Sequence, residues 1–223
     1  EVQMKQTSVF DVFIDYRKRL FTKNLVKGKQ VYGEKLVADK GTEYREWNVR
    51  RSKLAAAIEK GCPNIFLRAG QRVLYLGCST GTTVSHVSDL VGKQGLVFAL
   101  DFAPRVMREM VFVASDRGNI APILADANQP ATYQDRVSTV DIVYQDVAQR
   151  NQVSVFLKNI DMYLKPGGYA LLAVKARSID VTMKPKSVFA VVKAELERYL
   201  TIVDFRVLDP LEKDHCFIIC KKK

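Results

Sequence analysis

The chain has 223 residues, 48% of them apolar and 26% charged, which is enough to bury a sizeable core and build one full domain with at most a small appendage. No run approaches the roughly 20 uninterrupted apolar residues of a membrane helix, and the first residues lack the basic-then-apolar pattern of a secretory leader, so neither a membrane-spanning nor an exported protein is expected. Lys and Arg outnumber Asp and Glu by 35 to 24, a net charge of +11. Each cation that neutralises a phosphate releases a condensed counterion, so this balance favours a polyanionic partner.

The cations gather at Arg17 to Arg19, at Arg45, Arg50, Arg51 and Lys53, at Arg105 and Arg108, and at Lys221 to Lys223, and any one cluster can equally be a solvated face. Cys62, Cys78, Cys216 and Cys220 have no paired C-x-x-C spacing and read as buried thiols of a reducing compartment, without a metal.

Residues 1–48 carry short apolar alternations at 9–14, 20–26 and 31–37, separated by basic or Gly-containing turns. They are expected to form a small β-rich N-terminal region, and residues 49–223 a larger α/β domain. Asn48 is the expected N-cap of a helix that stops at Gly61. Strands are expected at 72–77, 96–101, 120–125, 140–145 and 169–175, with helices through 86–91, 104–115 and 153–164 between them, the last stopping before Pro166-Gly167-Gly168. Such alternation predicts a parallel sheet covered on both faces. After a helix near 186–199, two apolar runs at 202–208 and 215–220 are joined by a turn too short for a parallel crossover, so they should pair antiparallel. The predicted fold is α/β: a Rossmann-like methyltransferase sheet, mostly parallel with an antiparallel C-terminal strand, plus the small N-terminal region.

In such sheets ligands lie outside the C-terminal strand ends. Gly77 and Gly81 let the backbone approach a ligand, and Thr82 and Thr83 bring hydroxyls; this is not the G-x-G-x-x-G pattern of pyrophosphate binding. Asp101 can accept hydrogen bonds from ribose hydroxyls, and Phe102 can pack on a base. Asp126-Ala127 ends the third strand, where a carboxylate can reach an adenine amino group, and Asp146 to Gln149 follow the fourth. Each acid alone can be an ordinary helix N-cap, but four successive strand ends bearing polar groups suggest a nucleoside site.

The runs Tyr44 to Ala55, Val73 to Gly77, Gly81 to Asp89, Tyr144 to Gln149, Lys175 to Thr182 and Glu212 to His215 resemble the fibrillarin family, from about Val31 to the C-terminus. The resemblance implies S-adenosylmethionine-dependent methylation of ribose 2'-hydroxyls in rRNA and tRNA. It implies the role of catalytic subunit in a box C/D guide RNA particle, beside a Nop5-type scaffold and an L7Ae-type kink-turn-binding protein. Without a Gly/Arg-rich N-terminal extension the chain looks like the archaeal form, expected in the cytoplasm; a eukaryotic one would be nucleolar. The family usually has Glu where Asp101 stands, small residues at Cys78 and Ser79, and Pro at Arg150.

The resemblance also implies a catalytic set of Lys53, Asp146, Lys175 and His215. A ribose hydroxyl is a poor nucleophile until its proton is removed or its developing charge stabilised. Lys175 is expected to activate it and Asp146 to position it, while Lys53 and His215 orient the nucleotide; coupled groups share their titration, so the division of roles stays open. Lys175 can instead be an edge charge and His215 a satisfied core histidine. His86, mid-helix, reads as structural, and Trp47 as packing between the small region and the main domain.

Rival enzymes fit poorly, because Asp146-Val147-Ala148-Gln149 is no N-P-P-Y string and the region lacks a nucleophilic Cys. The alternative from another class is a non-catalytic RNA-binding assembly subunit, against which the four retained residues argue.

Overall fold

A computed structural model describes residues 3–223. In the N-terminal part, β1 (Lys5–Gln6), β2 (Val12–Ile14), β3 (Leu20–Lys23), β4 (Leu36–Asp39) and β5 (Thr42–Glu46) form an antiparallel sheet in the order β1-β2-β3-β5-β4. The expected run at 31–37 contributes only its end. Residues 31–34 turn instead, because the Glu34 carboxylate accepts the Val31 and Tyr32 amides. The Thr-Glu-Tyr-Arg-Glu of β5 shows no apolar alternation, and its inward Arg45 is a fully buried charge, so the apolar pattern could not reveal it.

The second sheet runs β11-β12-β10-β9-β6-β7-β8. Its parallel strands are β6 (Arg72–Leu76), β7 (Leu96–Asp101), β8 (Ile120–Leu124), β9 (Val140–Gln145) and β10 (Leu164–Lys175). β12 (His215–Lys222) pairs antiparallel with β10 and with β11 (Leu200–Val207). The antiparallel ending is as expected. β10 begins earlier than expected, since Pro166 to Gly168 sit in a register shift between Leu164 and Tyr169 rather than in a separate turn.

The helices cover both faces. α1 (Lys53–Glu59), α2 (Thr82–Val91) and α3 (Pro104–Arg117) pack on one apolar layer with Val73, Tyr75, Tyr144, Ala173 and Phe217. α4 (Gln152–Tyr163) and α6 (Pro185–Glu197) pack on the other with Leu74, Leu76, Val143, Leu172 and Val174. Successive strand residues thus alternate between layers, as the pleat requires. A single turn, α5 (Ala176–Ile179), follows β10. The N-cap of α1 is Ser52, whose Oγ accepts from the Ala55 amide. Asn48 accepts instead from the Arg50 amide in a preceding turn, so the cap lies four residues later than expected. Gly61, at φ +91°, stops it as expected. All four cysteines are buried and unpaired.

A buried polar cluster locks the first sheet to α2 and α3 of the larger domain. Arg45 donates to Glu34 at 2.7 Å, to Asp89 at 2.8 Å and to Ser85 at 2.8 Å. Asp89 also accepts from Arg117, from the Thr22 hydroxyl and from the Leu25 amide. Removing one member of such a set leaves an uncompensated buried charge, at a cost of about 3–5 kcal/mol. Trp47 stacks on His86 at 4.9 Å between centroids, the packing role read from its position. Thr22 spends its proton on Asp89, so the His86 Nδ1–H faces the Thr22 oxygen at 2.8 Å, while Nε2 lies 2.6 Å from the Tyr32 hydroxyl, which also reaches the Glu46 carbonyl at 2.9 Å.

Burial, and then Arg45 and Arg117, hold the His86 imidazole well below its ordinary value of 6.5. The folded chain keeps it neutral while the unfolded chain takes up a proton as the pH falls through that value, so its contribution to stability is present above pH 6.5 and lost below it. The expected slope approaches one proton, about 1.4 kcal/mol per pH unit. Urea midpoints should therefore fall between neutral pH and the onset of carboxylate titration, and a His86→Gln variant, though less stable throughout, should lose that slope. An equal slope in the variant would refute the assignment.

Candidate active site

From β6 the chain winds outward through β7 to β8, then returns to β9 on the other side of β6. The C-terminal ends of β6 and β9 therefore flank the point where the winding reverses, which opens a crevice. Gly77 lies there at φ +82°, and a Cβ on it would meet the Asp146 carbonyl oxygen at 2.1 Å and Val147 Cγ1 at 3.0 Å. The Asp146 amide donates to the Leu76 carbonyl at 2.9 Å. Only glycine lets the two loops close this tightly.

A cavity of about 330 Å³ opens at this point. Of the sequence-predicted cofactor residues, Gly77, Asp101, Phe102, Ala127, Asp146 and Gln149 line it. Leu100, Ala125, Val147 and Ala148 complete the wall. They escaped sequence reasoning because apolar residues bear no chemical mark; adjacency to strand ends was their only signal. Asp101 accepts from the Ser79 amide at 3.0 Å and the Ala103 amide at 3.1 Å, which fixes the carboxylate while leaving lone pairs for a ligand. A larger hollow of about 560 Å³ between α4, α6 and the C-terminus lies away from these strand ends and holds none of their residues.

The remaining predicted residues stand outside the cavity wall. Gly81, at φ +95°, caps α2, and a Cβ there would press on Met110. The Thr82 carbonyl accepts from Ser85 at 2.8 Å. Thr83 Oγ1 donates to Ser52 Oγ at 3.0 Å, and so faces the cap of α1. Asp126 accepts from the amide and side chain of Asn128, whose Nδ2 also donates to Gln149 Oε1 at 2.8 Å. It supports the cavity wall through those two residues.

Strand parity brings three of the proposed catalytic residues to one face, and helix α1 brings the fourth. Asp146 shares the face of Tyr144, Lys175 that of Ala173 and His215 that of Phe217, all in the layer that α1 covers. Lys53 opens α1, and its Nζ lies 2.8 Å from Asp146 Oδ2, with both side chains about a quarter exposed. Lys175 and His215 are register partners on β10 and β12. His215 is 8% exposed and donates from Nδ1 to the Lys213 carbonyl at 2.7 Å, leaving Nε2 as its free acceptor. Lys175 is exposed. Asp214, at φ +59°, accepts Arg177 Nε at 3.1 Å and the Ala176 amide at 3.0 Å, tying the segment after Lys175 to the strand that begins with His215. Among the described residues, no hydrogen bond or ion pair joins the Lys53–Asp146 pair to Lys175 or His215, and no three His, Cys, Asp or Glu side chains form a metal cluster.

The Fibrillarin family model matches residues 1–223. A relative from Pyrococcus abyssi, named fibrillarin-like rRNA/tRNA 2'-O-methyltransferase, is 46% identical over 225 residues, covering 99% of each chain. The crystal structure of Aeropyrum pernix fibrillarin with natively bound S-adenosyl-L-methionine superposes with a TM-score of 0.91 at 44% identity, covering 99% of each chain. That of a fibrillarin/Nop5p complex superposes with a TM-score of 0.89 at 40% identity, covering 98% of this chain and 100% of the other. The chain belongs to the fibrillarin family.

Proposed function

We propose that this chain transfers a methyl group from S-adenosylmethionine to ribose 2'-hydroxyls of rRNA and tRNA. Its setting would be a box C/D guide RNA particle, where a Nop5-type scaffold and an L7Ae-type protein hold the RNA. The observation that carries the reading is the set of Lys53, Asp146, Lys175 and His215 on one face of the sheet, beside a cavity walled by the backbone of Gly77 and Asp146.

The cavity suits the cofactor on its own chemistry. At Gly77 there is no room for a methyl group against the Asp146 loop, and a ligand in the cavity that this glycine lines would meet its bare backbone. Asp101 presents an anchored carboxylate suited to a ribose diol, and Phe102, 67% exposed at the rim, an aromatic face suited to a base. Gln149, held through its Oε1 by Asn128, offers its Nε2 amide for the edge of that base. When bound, S-adenosylmethionine supplies an electrophilic methyl group that an aligned oxygen can accept.

The chain's own residues then have to bind the ribose, aim its hydroxyl and take its proton. Lys175 presents an exposed amine at the strand end, able to stabilise negative charge growing on the hydroxyl oxygen. His215, held as the Nδ1–H tautomer by Lys213, offers Nε2 as an acceptor. Asp146 keeps the Lys53 amine at the edge of the cavity, where it would contact a phosphate or the ribose. The exposed cations provide counterion release on RNA binding, and pairing with a guide RNA would choose the nucleotide.

The test is methylation of a guide-paired RNA by the reconstituted particle, with a 2'-deoxyribose at the target position as control. Lys175→Ala is expected to lower the rate by about 100-fold or more while the particle still assembles. Methylation of the deoxy control would exclude the ribose oxygen as acceptor. A wild-type particle that assembles but never methylates would leave the chain as an RNA-binding assembly subunit.

Gly77→Ala is expected to weaken S-adenosylmethionine binding by about tenfold or more, the equivalent of roughly 1–3 kcal/mol of backbone strain and displacement. Titration calorimetry on the isolated chain reads this directly, and an unchanged dissociation constant would remove the glycine from the cofactor wall.

A further inference from the structure

Directly below the strand ends, on the face that carries Asp146, two tyrosines stand side by side. Tyr75 on β6 and Tyr144 on β9 are register partners, 2% and 1% exposed. Their rings stack at 4.3 Å between centroids and 16° between planes. Side chains rooted opposite one another with nearly parallel rings carry their hydroxyls together. The Tyr75 hydroxyl adjoins both that of Tyr144 and Thr83. Thr83 in turn donates to Ser52 Oγ at 3.0 Å, and Ser52 caps the helix that opens with Lys53. The hydroxyls of Ser52, Thr83, Tyr75 and Tyr144 therefore succeed one another from the cap of α1, the residue before Lys53, to the strand that leads into Asp146.

The end of that succession is unfinished. Tyr144 Oη is buried and, although the Tyr75 hydroxyl stands beside it, no group is placed to accept its proton; Asp146 follows two residues later on the same face. A buried hydroxyl without an acceptor opposes folding, and phenylalanine would fill the same space beside Phe217 without that cost. Burial, with the Asp146 charge adding to it, pushes the Tyr144 phenol well above its ordinary range. The hydroxyl stays protonated and is available as a donor. The nearby group in need of a donor, once the Lys53 amine turns to a substrate, is the Asp146 carboxylate.

We infer that Tyr144 is a positioning residue for Asp146: when RNA draws the Lys53 amine away, the Tyr144 hydroxyl donates to the carboxylate and keeps it aimed at the reacting nucleotide. Tyr75 and Thr83 hold Tyr144 in place for this exchange. The inference rests on the methyl-transfer reading above and assigns a role within it to a residue outside the four.

Tyr144→Phe tests it, because a purely structural role and a positioning role move stability and turnover differently. The variant is expected to keep or raise the melting temperature and to bind S-adenosylmethionine as the wild type does. Its kcat in the reconstituted particle should fall by about tenfold or more, the scale set by slight misplacement of a reacting group, with KM for RNA unchanged. Stability supplies a second readout that needs no turnover. In a Lys53→Ala background the carboxylate has lost its amine, so Tyr144→Phe should now lower the melting temperature by about 2–4 °C, the shift that one lost hydrogen bond gives in a chain of this size. An active wild-type particle whose Tyr144→Phe form keeps full kcat would overturn the inference and leave the methyl-transfer reading intact, and so would a stability effect that is the same with and without Lys53. A wild-type particle that never methylates would overturn both.

Discussion

Lys53 and Asp146 are 93 residues apart in the chain and 2.8 Å apart in space, and nearly every element of the domain is needed to bring them there. An ion pair this exposed contributes about 0–1 kcal/mol, so it cannot organise the fold that presents it. The fold must deliver both side chains already aimed. Ser52 does so for Lys53 by capping α1 at the residue before it. Gly77 does so for Asp146, since the loop after β9 rests on glycine backbone where any other residue would displace it. The strength of the site lies in these buried restraints, and its chemistry lies in the weakly held charges they position.

The small N-terminal sheet takes part in the same task. Its Thr22 and Arg45 reach Ser85, His86 and Asp89 on α2, and α2 begins at Thr82, directly after the glycine loop. Pinning the middle of that helix fixes its first turn, and with it Thr83 and the Ser52 cap. Buried ions are a poor source of net stability, because desolvation consumes much of their attraction. What they supply here is register: Asp89 accepts from β3, from β5 and from α3 at once, and only one placement of the sheet on the helix satisfies all three. A uniformly apolar contact would tolerate sliding, and each slide would move the end of α2 that faces α1.

What could be read from the sequence divides along a physical line. Period and punctuation marked the parallel strands, the helices between them and the antiparallel ending, because burial on both faces writes itself into apolar runs. β5 was hidden because its inward residue is Arg45, a charge whose partners lie in Glu34 and Asp89, far outside any local window. The cap of α1 was misplaced for a related reason. Asn48 and Ser52 are both good caps, and the one that starts the helix is held by Thr83, 31 residues further on. Within the site, Asp101, Asp146 and Gln149 announced themselves as polar groups at strand ends, whereas Leu100, Val147 and Ala148 did not. Thr83 was read toward the ligand because it follows a glycine loop, and only the fold reveals its hydroxyl bonded to Ser52.

The separation between the two halves of the proposed catalytic set is itself informative. Lys53 and Asp146 are paired, Lys175 and His215 are register neighbours on the next strands, and no hydrogen bond or ion pair joins the two halves. Had all four been linked in one closed network, a ribose would have to break protein–protein hydrogen bonds at the moment of binding. As it stands, Lys175 is exposed and His215 Nε2 is uncommitted, while the pair to be opened is the weak, quarter-exposed one of Lys53 and Asp146. In the proposed reaction the nucleotide would complete the network by joining the halves. An amine released from Asp146 would then leave a carboxylate in need of a donor, beside a buried tyrosine hydroxyl that has no acceptor of its own.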